Sequence, residues 1–321
     1  MAIKTMVRRN YQEEVTTIQD AFKEFINEKQ CKNLTPSSIR CYEKTFQFFM
    51  NFFEFDEHTP IQEVNNNLFK QWAMSLIDDG LKPTSINKYM RDCKVFCNWC
   101  IEAGYLNNPI KIEMMKVQEA AVKSFPEEDL IAITAKPNNP NDFVEWRTWA
   151  IIQWVLATGN RASTVCNVHI GDIDFRNREI VLSHTKNKKA QIIPLSRTLE
   201  AIIKDYMKTW RYGADSDDYL FPNIGNDFLT PEALTHSFAK YCKARGSSHT
   251  NIHGLRHSFA LNWIRNGGNQ FKLQKILGHS TLDMTLRYVN LVTDDLKDGY
   301  DDFSTFDFKR NKKPVKTIVR A

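Results

Sequence analysis

Residues 253–290 read HGLRHSFALNWIRNGGNQFKLQKILGHSTLDMTLRYVN, and this stretch organises the second half of the chain. It reads as three helices, over about 253–266, 269–277 and 280–290, with Leu277-Gly278-His279 closing the second as a plain helix C-cap would. His253 and Arg256 stand three residues apart near a helix start, so both side chains share a face. His279 precedes Tyr288 by nine residues. Each feature also has an ordinary structural explanation. His-x-x-Arg recurs by chance, Tyr288 suits an amphipathic core helix, and His257, beside the pair, reads as a packing residue.

Upstream, helices are expected at about 197–211 and 230–245. Strand signals are confined to Asp172–Phe175, Glu179–Leu182 and Gln191–Leu195, separated by Arg176-Asn177-Arg178 and by the polar Lys186–Lys189 turn. That pattern predicts a small three-stranded meander, with Lys186 at a hairpin tip where a lysine is usually solvated. A long apolar helix from about Phe143 to Ala157 stops at Thr158-Gly159, and Arg161 follows at the start of the next element. An arginine there is most often a surface cap. Trp146, Trp149 and Trp154 on the long helix read as core residues rather than base-stacking platforms. Pro126-Glu127-Glu128-Asp129 looks like a helix first turn, with acids at the positive end of the dipole.

The first 105 residues read as about four helices. Thr35-Pro36 supplies a cap and first-turn proline ahead of Ile39, Tyr42, Phe46, Phe49 and Phe53, spaced three and four apart. Pro83 and Thr84 open another helix, which Gly104 ends, and two more lie near 16–29 and 65–79. A break follows at Asn107-Asn108-Pro109, after which the segment to about Ser124 lacks a convincing apolar face and reads as an interdomain linker, part of it helical. Cys93, Cys97 and Cys100, at i, i+4 and i+7, read as small buried hydrophobes rather than metal ligands.

The chain has 321 residues, 43 Lys+Arg against 38 Asp+Glu and a net charge of +5. Its 42% hydrophobic and 25% charged content is that of a folded globular protein, and its length suits two domains. The charge is unevenly placed. Residues 1–110 carry 13 basic and 14 acidic side chains, residues 111–308 carry 24 of each, and residues 309–321 carry six basic and none acidic. Bulk charge therefore says little about a nucleic-acid partner, and any DNA affinity of the body must come from how Lys and Arg are arranged. No apolar run is long enough to span a bilayer. The basic first ten residues are followed by YQEEV where a signal peptide would be apolar, and seven scattered cysteines fit reduced thiols, so a cytoplasmic protein with no membrane partner is expected.

Taken together, Arg161, Lys186, His253, Arg256, His279 and Tyr288 form a coherent chemical set. Guanidinium groups offer planar, bidentate donors to the oxygens of a phosphoryl-transfer transition state. Histidine moves protons near neutral pH, lysine can protonate a leaving alkoxide, and tyrosine can serve as an oxygen nucleophile. The sequence lacks the dense carboxylate clusters of two-metal nucleases, and no metal or cofactor is expected.

Residues 253–290 strongly resemble the signature of tyrosine recombinases, the phage-integrase and Xer-type enzymes: His-x-x-Arg-His, Phe-Ala, Leu-Gly-His, and a tyrosine nine residues on. ATGNRAST resembles the box holding the first catalytic arginine, HTKNKKAQIIPLS the hairpin holding the catalytic lysine, and PTSINKYMRDCKVFCNWCIEAGYLNNP part of the helical core-binding domain. The likeness spans roughly residues 13–290. It implies a mainly α fold with a small antiparallel β-sheet, in two domains. These would be an N-terminal extension (1–12), a helical, SAM-like core-binding domain (13–107), a linker (108–124), an α+β catalytic domain (125–300) and a C-terminal tail (301–321, basic from 309).

The resemblance further implies that Tyr288 attacks the scissile phosphate to form a 3′-phosphotyrosyl link. Arg161, Arg256 and His279 would hold the phosphate, Lys186 would protonate the leaving 5′-oxygen, and His253 would assist proton transfer at Tyr288. Lys186 is favoured over Lys188 and Lys189 because it lies eight residues before Pro194, the family's spacing. Thr164 departs from the pattern, standing where the family usually has Glu or Asp. The implied partners are double-stranded DNA with paired inverted half-sites, other copies of the chain in a homo-tetramer joined by tail exchange, and accessory DNA-bending proteins. The tail could equally be a phosphate-binding arm. Other readings of the same residues are a type IB topoisomerase, a DNA-binding protein that has lost catalysis, and a helical interaction protein.

Overall fold

A computed structural model describes residues 17–117, 122–182 and 190–292. The chain divides into two compact units, Met1–Ala120 and Ala121–Ala321. Lys186, the N-terminal extension and the tail lie outside the described residues.

The first unit carries helices α1 (Ile18–Cys31), α2 (Pro36–Phe52), α3 (Asn66–Asp78) and α4 (Pro83–Ala103). Their starts follow the chemistry of the sequence. Thr17, Thr35 and Asn65 accept hydrogen bonds from first-turn backbone N–H groups, and Pro36 and Pro83 open their helices. Gly104 ends α4 at φ 87°, a left-handed backbone that glycine adopts without strain. The core is strongly aromatic. Phe22 stacks on Phe46 at 3.7 Å, Phe96 meets Phe25 edge-on at 5.4 Å, and Phe49 meets Trp72 at 5.3 Å. Cys93, Cys97 and Cys100 are buried free thiols in this core, and burial pushes the Cys97 thiol up to about 12.

The segment expected as a linker is anchored over much of its length. Ile110 and Ile112 are buried in the first core, and the Asn87 side chain exchanges two hydrogen bonds with the backbone of Met115, at 2.9 and 2.8 Å. Buried Ile110 and Ile112 alternate with exposed Lys111 and Glu113, and the described residues of the segment form no helix, against the partly helical reading. On the second unit, Val122 packs against the apolar cluster that includes Phe259, Leu273 and Tyr288, and Phe125 donates its backbone N–H to Ser258 Oγ at 2.9 Å.

The second unit contains α5 (Glu127–Thr134), α6 (Phe143–Thr158), α7 (Ala162–Cys166), β1 (Ile173–Asp174), β2 (Glu179–Leu182), β3 (Gln191–Pro194), α8 (Arg197–Trp210), α9 (Pro231–Ala244), α10 (His253–Arg265), α11 (Gln270–Leu277) and α12 (Asp283–Val289). Helix α6 is apolar nearly all round and runs through the core, packed against α8, α9 and α10. Trp149 and Trp154 are buried on it, and the three indole N–H groups of Trp146, Trp149 and Trp154 bond to Asn139 O, Thr134 O and Asn160 Oδ1. Among the described residues the strands form an antiparallel sheet in the order β1-β2-β3, with Ile180 opposite Ile173 and Ile193. Ile180, Leu182 and Ile193 face the core while Val181 and Ile192 face outward, the alternation a one-sided sheet requires. The mainly helical fold with a small antiparallel sheet is the one expected from the sequence.

Candidate functional site

Two helix ends and two helix faces of the second unit build one cluster. The first end is that of α6. Its last residue, Thr158, donates its hydroxyl to Trp154 O at 2.8 Å, and Gly159 closes the helix at φ 66°. A Cβ at Gly159 would stand 2.5 Å from Phe259 Cδ1 and 2.6 Å from Leu277 Cδ2, so this turn is closed by packing as well as by conformation. Asn160 is buried and accepts the indole N–H of Trp154 at 2.8 Å. Arg161 follows, half-buried, at the N-cap of α7. Thr164 is buried one turn on, and among the described residues no side-chain hydrogen bond joins it to Arg161.

Helix α10 begins at His253, whose backbone N–H bonds to Asn251 Oδ1 at 3.0 Å. Arg256 lies one turn inside and is 3% exposed. Its Nη1 donates to Gly159 O at 2.7 Å and its Nη2 to Leu277 O at 2.9 Å. Both acceptors sit at helix C-termini, where orphan carbonyls and the macrodipole favour a cation. Burial, then the nearby Arg161, lowers the Arg256 pKa to about 10, and the guanidinium stays charged at neutral pH. Burial also lowers the Arg161 pKa, with Tyr288 opposing it.

The second end is that of α11, closed by Gly278 at φ 62°. His279 follows, and its Nδ1 lies 2.8 Å from Thr285 Oγ1, a fully buried hydroxyl on α12. Gln191 at the start of β3 donates its Nε2 to Ile276 O at 2.8 Å and also to Lys275 O. Strand β3, which follows Lys186 in the chain, is thereby tied to the turn that presents His279. Burial, then Arg256 and Arg161, drives the His279 pKa down to about 4, so its imidazole is neutral near pH 7.

Tyr288 on α12 is 5% exposed. Its ring lies parallel to that of His279, 6.4 Å between centroids, and its hydroxyl is 2.9 Å from Nδ1 of His257. Burial raises the Tyr288 pKa above its usual value, against the pull of Arg256, Arg287 and Arg161. The phenol is protonated at neutral pH. His257 is likewise lowered to about 4, first by burial and then by His253, Arg256 and Arg287. The His253 ring stands edge-on to that of His257 at 4.7 Å, and its pKa is lowered by the protein around it, then by Arg256 and Arg161.

Arg161, His253, Arg256, His279 and Tyr288 thus converge, drawn from four places along 128 residues of chain. Lys186 lies outside the described residues. His257 was expected to be a packing residue; the fold instead places it on the Tyr288 hydroxyl. Its i, i+4 relation to His253 was the available signal, since that spacing puts the two rings on one helical face. Gln191 carried no signal in the sequence.

Two cations, three neutral imidazoles and a buried phenol can bind a phosphodiester and direct an oxygen nucleophile at phosphorus. Among the described residues no group of three or more His, Cys, Asp or Glu side chains is arranged to hold a metal ion, and no helix is long and apolar enough to cross a membrane.

Comparison with known proteins gives a consistent result. A model described as "Phage integrase family" matches residues 123–294, and one described as "Phage integrase SAM-like domain" matches residues 17–114. A tyrosine recombinase XerC of Anoxybacillus flavithermus is 25% identical over 276 residues, covering 84% of this chain and 92% of that protein. A tyrosine recombinase XerA of Pyrococcus horikoshii is 26% identical over 283 residues, covering 87% and 92%. The fold is shared with the Tn1549 transposon integrase solved with a circular intermediate DNA, at TM-score 0.68, 22% identity and coverage of 85% and 95%. It is also shared with a lambda integrase tetramer solved on a Holliday junction, at TM-score 0.66, 13% identity and coverage of 88% and 80%.

Proposed function

The chain belongs to the phage integrase family, and from that premise we propose that it is a site-specific DNA recombinase acting without metal or ATP. It cleaves and rejoins DNA through a 3′-phosphotyrosyl intermediate and a Holliday junction. The observation that carries this reading is the packing of Arg256, His279 and Tyr288 into one cluster: Arg256 donates to Leu277 O two residues before His279, whose ring lies parallel to that of the buried Tyr288.

Tyr288 attacks the scissile phosphate and releases a 5′-hydroxyl. Arg161 and Arg256 hold the phosphate oxygens. His279, neutral and fixed by Thr285, donates a hydrogen bond to the same group. Lys186 protonates the leaving 5′-oxygen, and His253 is the residue that the sequence resemblance assigns to proton transfer at Tyr288. The covalent link conserves the energy of the broken bond, so a second DNA end displaces Tyr288 without an energy source.

The substrate is double-stranded DNA carrying paired inverted half-sites. The first unit clamps the duplex, and four copies of the chain assemble on two DNA segments, as lambda integrase does on a Holliday junction. Residues 301–321 link neighbouring copies, accessory DNA-bending proteins assist, and the reaction takes place in the cytoplasm, at the nucleoid. The chain's place in integration, excision or resolution follows from its site.

Selection of bound sequences from a random or genomic pool reports half-site symmetry and spacing. Incubation with two such sites then tests the activity. Recombinant junctions and synaptic tetramers are expected; relaxation of supercoiled DNA without strand exchange would point instead to topoisomerase chemistry.

A further inference from the structure

We propose that His257 is a catalytic residue of DNA cleavage: its Nδ1 takes the proton from Tyr288 Oη as that oxygen bonds to phosphorus, and returns it when the phosphotyrosyl link is broken. The role rests on the recombinase reading above. It concerns a side chain that the sequence resemblance leaves out of the chemistry, and it moves the proton-transfer role away from His253.

The geometry carries it. His257 on α10 and Tyr288 on α12 are 31 residues apart, and Nδ1 lies 2.9 Å from the phenolic oxygen, within reach for direct proton transfer. His253 stands one turn earlier on the same helix with its ring edge-on to that of His257, so His257 is the imidazole in contact with the nucleophile. With Tyr288 protonated and His257 neutral at pH 7, the role requires the tautomer with its proton on Nε2, in which the phenol donates and Nδ1 accepts.

The charges around His257 give the contact a further consequence. His253 and Arg256 act on it from its own helix, Arg287 and Tyr288 face it from α12, and His279 interacts with it from the turn between α11 and α12. The neighbours that shift its ionisation all oppose a positive charge on the ring. A DNA phosphate held by Arg161 and Arg256 supplies the compensating negative charge. Proton acceptance is then favoured only with the scissile phosphate in place, and the nucleophile stays protonated without it. In the step itself the Oη–H bond breaks as Oη–P forms, P–O5′ breaks, and O5′ takes its proton from the general acid. Religation reverses each transfer.

The test compares wild type with His257→Asn, which keeps an acceptor near the Nδ1 position but cannot take the proton, and with His257→Phe, which keeps the bulk. Covalent-complex formation is followed in single turnover on suicide duplexes made from sequences the protein itself selects. Both variants are expected to lose about 100-fold or more in rate at pH 7 with DNA affinity unchanged, the deficit narrowing as pH rises and the phenol ionises unaided. A duplex with a 5′-bridging sulfur, whose leaving group needs no proton, should leave the deficit intact. A His257→Asn rate within about threefold of wild type, or a deficit independent of pH, overturns the role. Nitrogen-15 spectra of histidine-labelled protein without DNA separate this outcome from failure of the recombinase reading. They should show an unprotonated Nδ1 on His257 whose shift moves in Tyr288→Phe, and a proton on Nδ1 overturns the proposal by itself. Wild type that forms no covalent complex overturns the recombinase reading and this role with it.

Discussion

Nη1 of Arg256 donates to the carbonyl oxygen of Gly159 at 2.7 Å, so the buried guanidinium is seated by the same residue whose left-handed backbone ends α6. Gly159→Ala strains that turn and drives a methyl group against Phe259 and Leu277. A loss of roughly 1–3 kcal/mol in urea unfolding is expected. Covalent-complex formation should fall further than DNA affinity, because the seat of Arg256 shifts while the rest of the surface does not.

Gln191→Leu keeps the side chain's size and removes the donor to Lys275 O and Ile276 O. With the end of α11 released, His279 is less well placed, and a rate loss of about tenfold in single-turnover cleavage is expected. Circular dichroism should be unchanged. An unaltered rate would mean that the His279 turn is held by α11 and α12 alone.

The buried imidazoles set a pH dependence of stability. His257 and His279 each have a folded pKa of about 4, below the ordinary value of 6.5. Between those two values the unfolded chain binds protons that the folded chain excludes, so stability is full above about pH 6.5 and declines as pH falls toward 4. The carboxylates held below their usual range, Asp20, Glu28 and Asp129 among them, add their loss at lower pH. Urea midpoints measured from pH 7.5 to 4.5 should hold down to about pH 6.5 and then fall, and His279→Gln should flatten that fall. A flat wild-type profile over that range would contradict the burial of neutral imidazoles.

Much of the molecule was legible in the chain because its signals are local. Thr35-Pro36 and Gly104 punctuate helices by their own backbone chemistry, and Ile180 and Leu182 alternate with exposed neighbours as a strand must. His253, Arg256, His279 and Tyr288 were readable as an ordered motif. What stayed hidden depends on how distant helices pack. The His257 contact exists only because α12 lies against α10, and the Gln191 bridge spans 84 residues. Ile110 and Ile112 were passed over for another reason, since two apolar residues alternating with Lys111 and Glu113 make too short a pattern to mark a buried face.

The basic tail stands apart from the cluster in the sequence. Deleting residues 309–321 is expected to weaken assembly on paired sites, measured by native gel or mass photometry, while covalent-complex formation persists. Complete loss of cleavage in a folded truncation would mean that the tail takes part in the chemistry.

The most direct test is to identify the amino acid that becomes joined to DNA. Wild-type protein is trapped on a suicide duplex bearing its selected half-site, digested with protease and nuclease, and the modified peptide is sequenced by mass spectrometry. A 3′-phosphonucleotide on Tyr288, absent from Tyr288→Phe, is the expected result. Attachment to any other residue, or a covalent complex that survives Tyr288→Phe, would contradict the account.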